Sequence, residues 1–590
     1  MRPSERAAMT VRRYLTAAVL FAFVMTCPAV RVRAADDDSR YEKIAAAYFA
    51  ESFAANPPLA TQTGVHTYDS LLGSYSAADF GAQIARDKRY LVQLAALDSA
   101  TLSPDVALDR AMLANSLRDD LLINDGMKAW QHKPDTYVQI ASGAVFALIS
   151  RNFAAPVVRL RRVIARENQI PMLFAQARAN VTGTDKDTAE LALDDALGTA
   201  SFFEKDVVTA FAGIGDGAER TAFARSTSRA AAATRAFARW LKSGVVAHPS
   251  GTYAIGAANY SARLKYEEAI DMPLAQYLQI GVRALAVTRA RMVATAKQID
   301  PNASVDAVVS RTLKVHPTAA GLIPAAQSDL VKLRAFLIAK HIIDLPADAN
   351  IKVTLTPPFE RATTVASMDA PGPLETVATQ AYYNVTPVDP RDSKAAQEGY
   401  LETFNDFERP IVSAHEVYPG HYTNYIIDKH LPLSLTKKMV SATSFVEGWA
   451  HYDEQMVVDE GWGNGDPRVR LMQLKEAILR NARYVVGVKL HTQGMTLAQA
   501  EKYFETQAFL DPADARIESR RGTQDATYGY YTLGKLEIFK LRADYKKKMG
   551  PAYTLAKFHA ALLSHGDPPI PLLRPLLLGD ADDGRILQDR

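Results

Sequence analysis

Cysteine is almost missing from this 590-residue chain: Cys27 is the only one, so there is neither a disulfide framework nor a thiolate metal site to build on. Any metal would have to sit on histidine, aspartate or glutamate. Excess charge of one sign is missing too. The chain carries 68 Lys and Arg against 65 Asp and Glu, but six of the arginines and one glutamate fall in the first 34 residues. The remainder holds 62 basic and 64 acidic residues, a net charge of −2, and shows no basic patch that calls for nucleic acid. No Gly-x-Ser-x-Gly elbow marks a serine hydrolase. Gly529 and Lys535 have phosphate-loop spacing, but Leu536 stands where Ser or Thr is needed. The glycine pairs Gly213/Gly215 and Gly461/Gly463 read as loops rather than dinucleotide fingerprints.

The apolar run Leu15 to Cys27 is too short to span a bilayer. Arg2, Arg6, Arg12 and Arg13 precede it and Val32-Arg-Ala34 follows it, which predicts a secretory signal over residues 1–34, cleaved before Ala35. The Arg12-Arg13 pair leaves a twin-arginine route open, while Thr26 fits lipoprotein processing at Cys27 poorly. The protein is therefore expected to be periplasmic or secreted, with no integral membrane segment in residues 35–590. The whole chain is 48% hydrophobic, and residues 35–590 can bury a large core. No repeat and no low-complexity linker divides them, so a single helical domain is expected, with room for two lobes around a cleft.

Apolar residues recur at three- and four-residue spacing in alanine-rich windows at 41–55, 77–97, 104–124, 155–182, 188–211 and 217–244, which predicts helices. Residues 125–137 are polar and read as irregular, and 273–299 reads as a long helix. Residues 351–358 and 381–387 break the pattern. They are β-branched and aromatic with proline ends, and predict short strands. Their sheet is either a plain structural hairpin or an edge able to hold an extended peptide. Helices are expected again at 467–493, after a capping box at Thr496 to Gln499, after Asp511-Pro512, and from 528 to 549.

The chemistry concentrates in two stretches, Ser413-Ala-His-Glu-Val-Tyr-Pro-Gly-His-Tyr422 and Ser444-Phe-Val-Glu-Gly-Trp-Ala-His-Tyr-Asp-Glu-Gln-Met456. A zinc peptidase motif of the H-E-x-x-H kind places its histidines at i and i+4 on one helix face. Here i+4 from His415 is Pro419, and the second histidine is His421, at i+6. Six residues of unbroken helix advance about 600°, which would point the rings well apart. Pro419-Gly420 allows two residues to loop out as a helical bulge and bring His421 back to the i+4 direction. In this reading His415 and His421 bind one Zn²⁺, a fourth position stays open for water, and Glu416 is the general base. A buried polar network is the alternative. Glu447, His451 and Glu454 fall at i, i+4 and i+7, a polar stripe on an otherwise apolar helix.

The sequence resembles the bacterial domain-of-unknown-function 885 family of candidate metallopeptidases. The carrying residues are His415-Glu-Val-Tyr-Pro-Gly-His421, Glu447-Gly-Trp-Ala-His-Tyr452 with Glu454, and the stretch Arg521 to Lys535. A weaker match runs from Asn56-Pro-Pro through Thr61, Gly64, His66 and Tyr68-Asp69. Tyr422 departs from the family's frequent second histidine, and Asp525-Ala526 from its Asp-Pro. The resemblance implies a mainly α, multi-helix fold like the zinc peptidases whose third ligand is a glutamate (gluzincin-like), with Glu447 in that role. It also picks out Tyr531, ahead of Gly534, as a hydroxyl donor to an oxyanion.

Glu454 is expected to orient a ligand imidazole. His451 either bonds the oxyanion or fills a polar slot in the core. Arg520 and Arg521 are candidates to hold a substrate carboxylate, against helix-end pairing with Glu518 or Asp514, and Tyr528 joins them as a candidate substrate-binding residue. His491 matches the family without a role. The expected function is hydrolysis of oligopeptides by an exported zinc peptidase. A zinc amidase or esterase, or a non-catalytic metal-dependent binding protein, stands as the alternative. Glu416 beside the first ligand favours hydrolysis, because a binder has no need of it.

Overall fold

The computed structural model describes residues 27–356, 361 and 366–587, with side chains from residue 36 onward. Most of the expected leader, including Arg12-Arg13, lies outside these residues, as do Pro357 and Pro358 at the end of the first expected strand. Helices dominate, and the only strands among the described residues form one three-stranded sheet. No described helix is long and apolar enough to cross a membrane.

The first half is a succession of helices beginning with Cys27–Ala55, which runs without a break through the expected cleavage position. The 155–182 window, expected as one helix, is two: Pro156–Glu167 and Ile170–Asn180. Pro171 sits in the first turn of the second, where its missing N–H costs nothing, and it could not have continued the first. The 125–137 stretch, expected to be irregular, contains a helical turn at Ala129–His132 and the start of a helix at Asp135. Helices expected near 104–124, 188–211 and 217–244 each widen into a π-type turn, at Leu122–Gly126, Phe202–Val207 and Leu241–Val246.

The elements that build the site follow in chain order. They are α1 (Pro57–Thr63), α2 (Leu274–Ile299), β1 (Ile351–Leu355), β2 (Ala366–Asp369), β3 (Ala381–Val385) and α3 (Arg409–Glu416), then α4 (His421–His430), α5 (Thr443–Asp459), α6 (Pro467–Thr492), α7 (Pro512–Gln524) and α8 (Tyr530–Met549). The sheet is not a hairpin. Its order is β1-β3-β2, with β3 parallel to β1 and antiparallel to β2, so β2 is an edge strand. The helix after Thr496 has the full capping box, and Asp511 caps α7 ahead of Pro512.

Two helix pairings frame the centre: α2 lies along α6, and α5 lies along α8. The second is unusually close. A Cβ added at Gly534 of α8 would fall 1.7 Å from the carbonyl oxygen of Ser444, and one at Gly448 of α5 would fall 2.5 Å from the Gly534 Cα. Only glycines let these backbones meet. Among the described residues four apolar clusters fill the interior, and they are not confined to separate parts of the chain. Leu108 and Met112 from the first half share a cluster with Tyr383, Trp449 and Leu573.

Candidate metal centre

His415 is the second-last residue of α3, and α3 ends at Glu416. The chain then turns through Val417 to Gly420, with a cis Tyr418–Pro419 bond, and α4 begins at His421. The expected bulge in a continuous helix is therefore a break between two helices. Its hydrogen bonds still carry the two-residue insertion: Gly420 N–H donates to Ala414 O at 2.9 Å and Thr423 N–H to Val417 O at 3.2 Å. Both span six positions where an α-helix spans four. Gly420 is required here, because a Cβ would lie 1.7 Å from the His415 carbonyl oxygen. Trp449 of α5 braces the turn by donating its indole N–H to Pro419 O at 3.0 Å.

This turn brings the His415 and His421 rings to 4.8 Å between centres, at 85°. Glu447 of α5 faces both. Its Oε2 lies 3.5 Å from His415 Nε2 and 3.5 Å from His421 Nε2. One ligand atom from each of the three residues lies within 4.8 Å of the others. Oε2 is buried and accepts no hydrogen bond from the described residues. Burial alone would favour neutral groups, but the mutual contact wins. His415 is pushed well up by Glu447 and Glu454, and Glu447 is held well down by the two histidines.

Behind the triangle, the stripe on α5 does the orienting. Glu454 Oε1 accepts the His415 Nδ1 proton at 2.8 Å, which leaves His415 Nε2 facing Glu447. Its Oε2 is 2.9 Å from His451 Nδ1, and Arg480 of α6 stands 3.2 Å from Oε1. Burial would raise Glu454, but Arg480, His451 and His415 together outweigh it and hold the carboxylate well down. His451 is fully enclosed, and Lys535 of α8 donates to its Nε2 at 3.5 Å. Burial, then the Lys535 cation, push His451 down to about 3, so it is neutral. Both ring nitrogens are engaged inside the protein. The expectation of an oxyanion donor is corrected: His451 fills the polar slot.

Glu416 accepts the backbone N–H of Met368, on edge strand β2, at 2.9 Å. The ring of Tyr531, in the first turn of α8, lies 6.5 Å from that of His415. Its hydroxyl accepts from Arg521 at 3.3 Å. Tyr528 is corrected. It is wholly buried, packed against Gly487 and Gly522, and faces no cleft. Arg520 stands apart from the site, 3.7 Å from Glu190. That helix-end pairing has a different partner from those expected. His491 bonds Gly522 O at 2.7 Å and ties α6 to α7.

The weaker motif near residue 60 also has a place. His66 sits between Asp69 (3.1 Å) and Glu375 (2.9 Å) and stacks on Phe153. Gly64, at φ +99°, lets the 372–375 loop close on the end of α1; a Cβ would meet Glu375 N at 2.3 Å. That loop follows β2, so the motif pins the strand that reaches Glu416. Sequence reasoning missed this link and the roles of Arg480, Arg483 and Lys535. One signal was available for the arginines: Arg480 and Arg483 stand three residues apart, on one helix face, just ahead of the apolar run Tyr484 to Val488.

A family model described as bacterial protein of unknown function (DUF885) matches residues 57–577. The chain belongs to this family. Among solved structures, a candidate lipoprotein of unknown function from Shewanella oneidensis is 27% identical, with a TM-score of 0.78 over 91% of this chain and 99% of that one. The crystal structure of a candidate lipoprotein from Colwellia psychrerythraea has the same fold at 16% identity, with a TM-score of 0.77 over 93% of this chain and 99% of that one. No curated protein matches the sequence.

Proposed function

We propose that this DUF885 protein is an exported zinc-dependent peptidase of the gluzincin kind, acting on oligopeptides. One observation carries the reading: the buried, unbonded Oε2 of Glu447 turned towards the Nε2 atoms of both His415 and His421. With both imidazoles neutral at Nε2, all three groups are acceptors, and their convergence fits a cation. Two imidazoles and one carboxylate form the donor set of a catalytic zinc with an open position. A bound zinc would polarise a carbonyl and make an attacking water acidic enough to react near neutral pH. Glu416, next to His415 but outside the ligand triangle, takes the water's proton and returns it to the leaving amine. Glu454 holds the His415 proton on Nδ1, so that Nε2 presents its lone pair. The Tyr531 hydroxyl, already accepting from Arg521, keeps its own proton to donate to an oxyanion. Edge strand β2 beside Glu416 supports an extended peptide as the substrate.

The test is metal analysis of the purified protein, together with digestion of a mixed peptide library read by mass spectrometry. Near-stoichiometric zinc and cleavage lost on chelation are expected. Glu416→Gln should keep the zinc and lose turnover by at least about a hundredfold. A protein that takes up no zinc refutes the metal reading. Zinc uptake with full activity in Glu416→Gln removes Glu416 as the base.

A further inference from the structure

Three guanidinium groups surround the ring of Tyr531: Arg480 and Arg483 at 5.4 Å from its centre and Arg521 at 5.9 Å. Two are neutralised. Arg480 is bonded to Glu476 and stands 3.2 Å from Glu454. Arg483 forms a two-pronged pair with Glu518, at 2.6 and 2.7 Å. Arg521 is different. Its one side-chain hydrogen bond among the described residues is to the Tyr531 hydroxyl, and no carboxylate there is within ion-pair distance. The two acids closest in sequence are engaged elsewhere: Glu518 with Arg483, and Asp525 with the Tyr530 hydroxyl at 2.7 Å. A guanidinium offers five N–H donors in a planar fork, so most of the Arg521 fork is unspent. The side chain is only partly buried.

Its distance from the candidate metal centre is informative. The Tyr531 ring stands 6.5 Å from the His415 ring and 5.9 Å from the Arg521 guanidinium, so it borders both. An extended peptide advances about 3.3–3.6 Å per residue. A chain whose scissile carbonyl lies at the His415, His421, Glu447 triangle would bring a carboxylate one or two residues further on within reach of Arg521.

We propose that Arg521 is a carboxylate anchor, and that the substrates are peptides carrying a carboxylate one or two residues beyond the scissile bond, as a free C-terminus does. The proposal rests on the peptidase reading for the position of the scissile bond. The anchor itself is a binding site and can be measured without turnover. An acidic side chain has the same chemistry, and the probes separate the two sources.

The experiment uses the zinc-loaded full chain with Glu416→Gln, so that peptides bind without being cut, and calorimetry as the readout. The probes are pentaalanine, pentaalanine amide, and the amides of tetraalanine extended by glutamate or by glutamine. Pentaalanine is expected to bind about tenfold tighter than its amide, the scale of a charge-assisted contact. Adding Arg521→Gln should remove the difference. If the glutamate amide instead outbinds the glutamine amide and Arg521→Gln abolishes that preference, the anchor stands and the side chain is its ligand. Equal binding within both pairs overturns the proposal, as does a preference that survives Arg521→Gln. The acid-versus-amide comparison needs no change at Arg521, so poor folding of that variant does not rescue the idea. A carboxylate preference alongside no cleavage by the unaltered protein would sink the peptidase reading and leave the anchor.

Discussion

Replacing Gly534 by alanine tests the geometry of the centre with a single methyl group. The new Cβ would fall 1.7 Å from Ser444 O, 2.6 Å from Ser444 C and 2.9 Å from the Gly448 Cα. Ordinary contact is about 3.5 Å, so the two helices would have to part by well over about 1 Å. The atoms met are backbone, which no rotamer change can move aside. Overpacking commonly costs about 1–3 kcal/mol, and a clash with main chain across a close helix crossing belongs at the upper end, about 3 kcal/mol. The same substitution has the opposite sign elsewhere. Gly198 and Gly399 lie inside exposed helix segments, where a Cβ would meet nothing within 4 Å. Alanine there should stabilise by about 0.5–1 kcal/mol, the helix-interior cost of glycine. The assay is the unfolding midpoint of the three variants and the parent protein in parallel, followed by a zinc-competition titration. Gly534→Ala should melt well below the parent and bind zinc more weakly, because Glu447 adjoins Gly448 and shifts with α5. A Gly534→Ala protein that melts with the two control variants would refute the α5–α8 crossing.

Glu454→Gln keeps the shape but removes the charge that holds His415 and balances Arg480. Zinc affinity should fall about 10- to 100-fold in a competition titration, and unchanged affinity would exclude Glu454 as the orienting group. His66 gives a pH signature. Burial would lower its pKa, but Asp69 and Glu375 outweigh burial and raise it above its ordinary 6.5. A raised folded-state pKa means that the imidazolium stabilises the fold fully below pH 6.5, and that this contribution is lost as pH climbs through the folded-state value. The stability gap between the parent protein and His66→Gln should therefore be widest at acid pH and narrow as pH rises. A gap that widens with pH would contradict the clamp.

Local chemistry decided much of this protein in advance. Helix periodicity and caps are short-range properties, so the helices around 77–95, 274–299 and 467–492, the Thr496 box and the Asp511 cap were legible residue by residue. So was the approach of His415 and His421 around Pro419-Gly420, because both imidazoles flank that short turn in the sequence. Tertiary structure decided the rest. Whether Pro419-Gly420 makes a bulge or a break depends on Trp449, thirty positions away, and on a carbonyl that a Cβ would strike. The order of the sheet depends on which strands find each other, and a strand pattern does not encode that. Tyr528 and Tyr531 read alike as aromatic residues three apart, yet one is sealed against two glycines and the other stands among three arginines. What separates the two is their long-range partners, since burial and electrostatics are sums over neighbours that only the folded chain brings together.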